Sequence, residues 1–150
     1  MKKIILAIDD STYSQQIIDS VANRKWSDDF EVKILTVLEP LDLDDADCQE
    51  TLSEINHKRK EQAEKLLEKA RKTLSERLNS RIHFEIREGN PKTEILDVAA
   101  EWAADKILLG AHGHGAPTDL SEAGETIGSI PRMITEHAPC SVEILRTHIH

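Results

Sequence analysis

RIHFEIREGNPKTEILDVAAEWAADKILLG, residues 81–110, contains a complete strand–turn–helix–strand unit. RIHFEIRE (81–88) alternates strictly, with Ile82, Phe84 and Ile86 on one face. Gly89 and Pro91 break the alternation, and Pro91 is suited to open a helix because its missing N–H falls where no intrahelical acceptor exists. Ile95, Val98, Ala99 and Trp102 then recur at helical spacing, and KILLG (106–110) is a short apolar strand. Two strands joined through a helix lie parallel, and the crossover is right-handed.

The same alternation extends in both directions. KKIILAI (2–8) is isoleucine-rich, as expected of a strand covered on both faces, and after Ser11 the residues Ile17, Ile18, Val21 and Ala22 fall at helical spacing. EVKILTVL (31–38) is a second strand, followed by EPLDLDDADCQE (39–50), which has turn-formers and no period and reads as a loop. A long helix runs from about Thr51 to Leu78, with Ala63, Leu66, Leu67, Ala70, Leu74 and Leu78 on one stripe. A heptad started at Leu52 places Arg59, Gln62 and Lys69 at core positions, so this helix is expected to pack on a sheet and not in a coiled coil. A helix over 131–137 and a last strand, CSVEIL (140–145), complete the pattern. Residues 1–150 therefore read as one α/β domain: a single open parallel sheet of five strands with helices on both faces.

Composition narrows the function. A chain of 150 residues can bury ~70% of its unfolded surface. The formal net charge of −9 leaves no broad basic surface, which argues against nucleic acid and membrane surfaces as partners. The opening MKKIILAIDD imitates a signal peptide, but its apolar core is short and ends in two aspartates. No stretch approaches the ~20 apolar residues of a membrane span. Cys48 and Cys140 stand far apart with no Cys-x-x-Cys spacing, which fits reduced thiols and a cytoplasmic protein.

In open parallel sheets, ligands bind at the carboxyl ends of the strands where strand order reverses. The most polar strand ends here are IDDS (8–11) and GAHGHG (110–115). Ser11 reads either as a plain helix N-cap or, with the aspartates, as part of a group that holds ribose, adenine or a cation. A phosphoacceptor receiver domain would need a further Asp after the third strand, and that strand ends in Arg87-Glu88. Neither G-x-G-x-x-G after the first strand nor G-x-x-x-x-G-K-[ST] occurs. Glycines at 110 and 113 let backbone N–H groups approach an anion closely, and Gly128-Ser129 leads into a helix whose N-terminus adds its dipole. His112 and His114, with Asp119 or Glu122, are chemically suitable zinc donors but match no established zinc spacing, so they also read as solvated loop residues. His137, His148 and His150 read as surface residues, and Cys140 as a small core residue.

Taken together, ILAIDDS (5–11), ILTV (34–37), EGNP (88–91), LLGAHG (108–113), Gly128-Ser129 and HAPCSVEIL (137–145) resemble the universal stress protein family over essentially the whole chain. The resemblance implies a Rossmann-like sheet in the order 3-2-1-4-5 and homodimers paired along the last strand, 140–145. In one subclass, marked by G-x-x-G, nine residues and G-[ST], it also implies ATP at the ends of strands 1 and 4. Carried onto this chain, Asp9 would approach the adenosine and the backbone around Val37 and Gly89 would frame the base. Gly110, Gly113, Gly128 and Ser129 would hold ribose and phosphates. The spacing departs from that pattern: fourteen residues, 114 to 127, separate Gly113 from Gly128. The insertion brings Asp119, Glu122 and Glu125, with no Lys or Arg between Lys106 and Arg132. Carboxylates there would repel a triphosphate unless they point away or Mg²⁺ accompanies the ATP. Pro117, Gly115 and Gly124 predict an exposed loop anchored at its ends.

The expected function is a cytoplasmic, homodimeric stress-response sensor or switch that takes up an adenine nucleotide. The alternative is a nucleotide-free dimeric scaffold whose acidic loop, 114–127, contacts an unidentified protein partner. No Ser-His-Asp arrangement is evident, so catalysis is expected to be absent or to amount to slow ATP hydrolysis.

Overall fold

Period-two apolar strands sort their side chains to two sides, and this chain uses both. In the computed structural model, which describes residues 2–9, 13–26, 29–40, 49–78, 81–111 and 128–146, Ile4 and Leu6 point to one face of the sheet and Ile5 to the other. All three are almost fully buried. Among the described residues nine elements alternate: β1 (Lys2–Ala7), α1 (Ser14–Ala22), β2 (Phe30–Leu38), α2 (Gln49–Arg77), β3 (Arg81–Glu88), α3 (Pro91–Trp102), β4 (Lys106–Gly110), α4 (Ser129–His137) and β5 (Ser141–Leu145). Every strand pairing is parallel, and the order is β3-β2-β1-β4-β5, as the resemblance implies.

Two cores flank the sheet. Against α1 and α2 lie Ile4, Leu6, Val32, Ile34 and Leu108, packed on Ile17, Ile18, Val21, Leu67, Ala70 and Leu74. Against α3 and α4 lie Ile5, Leu35, Ile107 and Leu109, packed on Ile95, Val98, Ala99 and Ile134. Burying one such side chain contributes about 1.5–3 kcal/mol, so both faces of the central strands stabilise the sheet. The stripe of α2 meets the sheet as its spacing predicts. Cys140 packs partly buried on the α3/α4 side, where burial, followed by the charge of Asp105, pushes its thiol pKa up.

Several boundaries differ from the sequence reading. The first helix opens at Ser14 with Tyr13 at the cap position and no side-chain cap, and Ser11, read above as an N-cap or a ligand group, lies outside the described residues. Gln49 and Glu50, assigned above to the loop, already belong to α2. Both are good helix formers, and the loop assignment extended too far. The last helix begins at Ser129 because Pro131 sits within the first turn, where no N–H is required. Asn90 caps α3 by accepting from the Lys92 amide at 2.9 Å, with Pro91 following as predicted. Phe84 alternates in phase with Ile82 and Ile86 yet is 41% exposed; β3 is an edge strand, and the Arg71 guanidinium lies over the Phe84 ring.

Candidate functional site

β1 and β4 run side by side, Ala7 opposite Leu109, and then diverge to opposite faces of the sheet. β1 leads to α1 in one layer and β4 to α4 in the other. A crevice opens where they part, as strand reversal requires. It is a cleft of about 440 Å³ whose walls include Asp9, Val37, Gly110, Gly128 and Ser129.

The Asp9 side is held by two buried hydroxyls that the sequence reading missed. Ser14, 2% exposed, donates from Oγ to the Asp9 carbonyl and accepts from the Asp9 amide at 3.2 Å. Its Oγ also lies 3.2 Å from Asp9 Oδ1. Thr36, 4% exposed, donates to the Ile8 carbonyl at 2.6 Å, while the Ile8 amide bonds Leu35 O at 2.9 Å. A polar residue that interrupts an apolar strand, as Thr36 does in ILTV, signals such a buried bond.

The opposite side is built on the chain leaving β4. Ala111 donates its amide to Leu145 O at 2.9 Å, and its carbonyl accepts from the Gly128 amide at 2.9 Å. The second bond joins the two ends of the insertion. A Cβ on Gly128 would lie 3.2 Å from that same carbonyl, so glycine permits the approach. The first intrahelical bond nearby runs from Arg132 N to Gly128 O, leaving the Ser129 and Ile130 amides at the orphan end of α4. A helix N-terminus of this kind favours an anion.

The third wall comes from β2 and α2. Val37 and Leu38 end β2 and Glu39 follows them, and Arg59, Gln62, Ala63 and Leu66 of α2 line the same wall. Arg59 is the only Lys or Arg among the described lining residues, whose other charged members are Asp9 and Glu39. The stretch without cations between Lys106 and Arg132 thus has a counterpart contributed by a distant helix. Gly89 stands behind this wall and is not among the residues lining the cleft; its amide donates to Leu38 O at 2.9 Å. At φ +145°, with Glu94 Oε1 2.9 Å from where a Cβ would lie, the turn itself requires glycine there.

Gly113, His112, His114, Asp119, Glu122 and Glu125 lie outside the described residues. His137 is exposed at the end of α4. Among the described residues, no helix is long and apolar enough to cross a membrane.

The described residues form a doubly wound parallel sheet with a crevice, lined in part by Gly110 and Gly128, at its switch point. A family model described as the universal stress protein family matches residues 1–146, and the chain belongs to that family. Universal stress protein MJ0531 of Methanocaldococcus jannaschii is 27% identical over 145 residues, covering 97% of this chain and 82% of the relative. The structure is similar to that of universal stress protein UspA from Lactobacillus plantarum, with a TM-score of 0.83, 23% identity and 97% of each chain covered. It is also similar to an Arabidopsis thaliana family member with AMP bound, with a TM-score of 0.70, 17% identity, and 99% and 93% of the two chains covered. Two further structures of the same fold are a universal stress protein in complex with cAMP and one from Archaeoglobus fulgidus in complex with dAMP.

Proposed function

We propose that this protein binds an adenine nucleotide, ATP with Mg²⁺ or its monophosphate, in the β1–β4 cleft and acts as a stress-response sensor or switch in the cytoplasm. One observation carries the reading: Asp9 and the Gly128–Ser129 helix start face one cleft from its two sides. Its volume of about 440 Å³ falls within the ~300–1,000 Å³ of small-ligand sites. The chemistry of the walls fits a nucleotide. Orphan amides at the start of α4 and the glycine backbone suit phosphate, Asp9 suits ribose hydroxyls, and the apolar ends of β2 and α3 suit a base. Related proteins with AMP, cAMP and dAMP support the same ligand class. Gly113 would complete the phosphate cradle with Gly110.

Homodimerisation through β5 belongs to the proposal. β5 pairs with β4 and ends the sheet, and pairing with a second copy would cover that edge. Val142 and Ile144 already pack on the α3/α4 core, so the contact would draw on their remaining exposed surface and on the strand backbone. Light scattering at micromolar concentration should give twice the monomer mass; a monomer mass contradicts it.

Calorimetric titration with ATP, with and without Mg²⁺, tests the nucleotide reading. Binding to the wild type and its loss in Gly113→Val are expected. Equal binding by the variant would remove Gly113 from the cradle, and absence of heat with either ATP or AMP would favour a nucleotide-free scaffold working through residues 114–127.

A further inference from the structure

We propose that Arg59 and Gln62, one turn of α2, read the base of the bound nucleotide and set a preference for adenine over guanine; this rests on the nucleotide reading of the same cleft. The evidence is an interruption in a helical stripe. From Ala63 onward, α2 turns Ala63, Leu67, Ala70 and Leu74 to the sheet, all buried. Side chains four residues apart share a helix face, so Arg59 continues the Ala63 row and Gln62 the Leu66 row. Both rows turn polar where α2 passes the carboxyl end of β2 and stands over the open cleft. Two polar residues at stripe positions are costly against a sheet and useful above a ligand.

The topology assigns them to the base end. α2 packs beside β2 and β3, whereas the Gly128–Ser129 start of α4 follows β4. β2 and β4 are separated by β1, two strand spacings or ~10 Å. With phosphate at α4, the ring system extends along this line to the β2 side, beneath Arg59 and Gln62. A Gln amide carries one donor face and one acceptor, which matches the adenine N6–H/N7 edge and not the two acceptors guanine presents at O6 and N7. The Arg59 guanidinium, planar and held loosely by Asn56 Oδ1 at 3.5 Å, is suited to lie over the ring face.

The test measures affinities of the full chain for AMP, ATP and GMP in the wild type, Gln62→Leu, Arg59→Leu and Arg59→Lys, with thermal melting as a check on folding. The wild type should prefer AMP to GMP. Gln62→Leu should weaken AMP on the order of tenfold and leave GMP unchanged. Arg59→Leu should weaken AMP and ATP by the same factor, and Arg59→Lys should not restore them. An unchanged AMP/GMP preference in Gln62→Leu overturns the proposal. So does a loss in Arg59→Leu that grows from AMP to ATP and is rescued by lysine, because that pattern marks a phosphate contact. A wild type that binds none of the three overturns the nucleotide reading itself, an outcome distinct from normal AMP binding with indifferent variants.

Discussion

The Gly128 amide donates to the Ala111 carbonyl across 2.9 Å, although sixteen residues, 112 to 127, separate the two in sequence. This bond fixes the start of α4 against the end of β4 whatever the length of the chain between them. The two sides of the insertion are thereby joined by a bond that does not depend on the residues between them.

Gly128→Val should disturb that approach. A Cβ there lies 3.2 Å from the Ala111 carbonyl and 3.6 Å from Pro131 Cδ, and the added methyls tighten both contacts. AMP affinity should fall on the order of tenfold, about 1.4 kcal/mol, with circular dichroism unchanged. Calorimetry on the purified variant checks this, and wild-type affinity would show that the helix start does not touch the ligand.

Thr36→Val keeps the shape of the side chain and removes its bond to the Ile8 carbonyl, leaving that buried acceptor short of a partner. A loss of about 1–3 kcal/mol in urea unfolding is expected. Nucleotide affinity should fall as well, because Ile8 precedes Asp9. Stability equal to the wild type would mean that another donor takes over.

The sheet and its cores were legible in the sequence because period-two strands and the stripe of α2 are local signals, and each meets its expected partner. The two-sided cleft was partly legible: Asp9, Val37, Gly110, Gly128 and Ser129 all line it. Ser14, Thr36, Arg59 and Gln62 were not assigned to it, because their roles depend on which elements the strand order brings together. Arg59 and Gln62 had already registered as polar residues at core positions of a failed heptad. That misfit was the available signal for these two, although Lys69, the third polar residue of the same heptad, does not line the cleft.

Acid should weaken the hold on β5. Glu143 accepts from Arg24 and, at 3.3 Å, from Lys106; Arg24 first, against the opposing effect of burial, holds its carboxyl below the ordinary 4.5. A carboxylate with a depressed folded pKa contributes stability above its unfolded pKa and loses it as pH falls through the folded value. The melting temperature of Glu143→Gln should therefore lie below the wild type at neutral pH, and the gap should close below about pH 4. A gap independent of pH would assign the loss to packing.

Excising five residues from 114–127 restores the nine-residue spacing and removes acidic charge when Asp119 and Glu122 are included. AMP affinity should hold, because the anchoring bond between Gly128 and Ala111 is retained. ATP affinity should rise, because fewer carboxylates oppose the added phosphates. Equal changes for the two nucleotides would separate the insertion from the phosphates.

The most direct measurement is the nucleotide released by denaturing protein purified without added ligand, followed by titration of the emptied protein with AMP. The account predicts an adenine nucleotide from the wild type, saturable uptake of AMP, and loss of both in Asp9→Ala. A wild type that releases no nucleotide and takes up no AMP would contradict it.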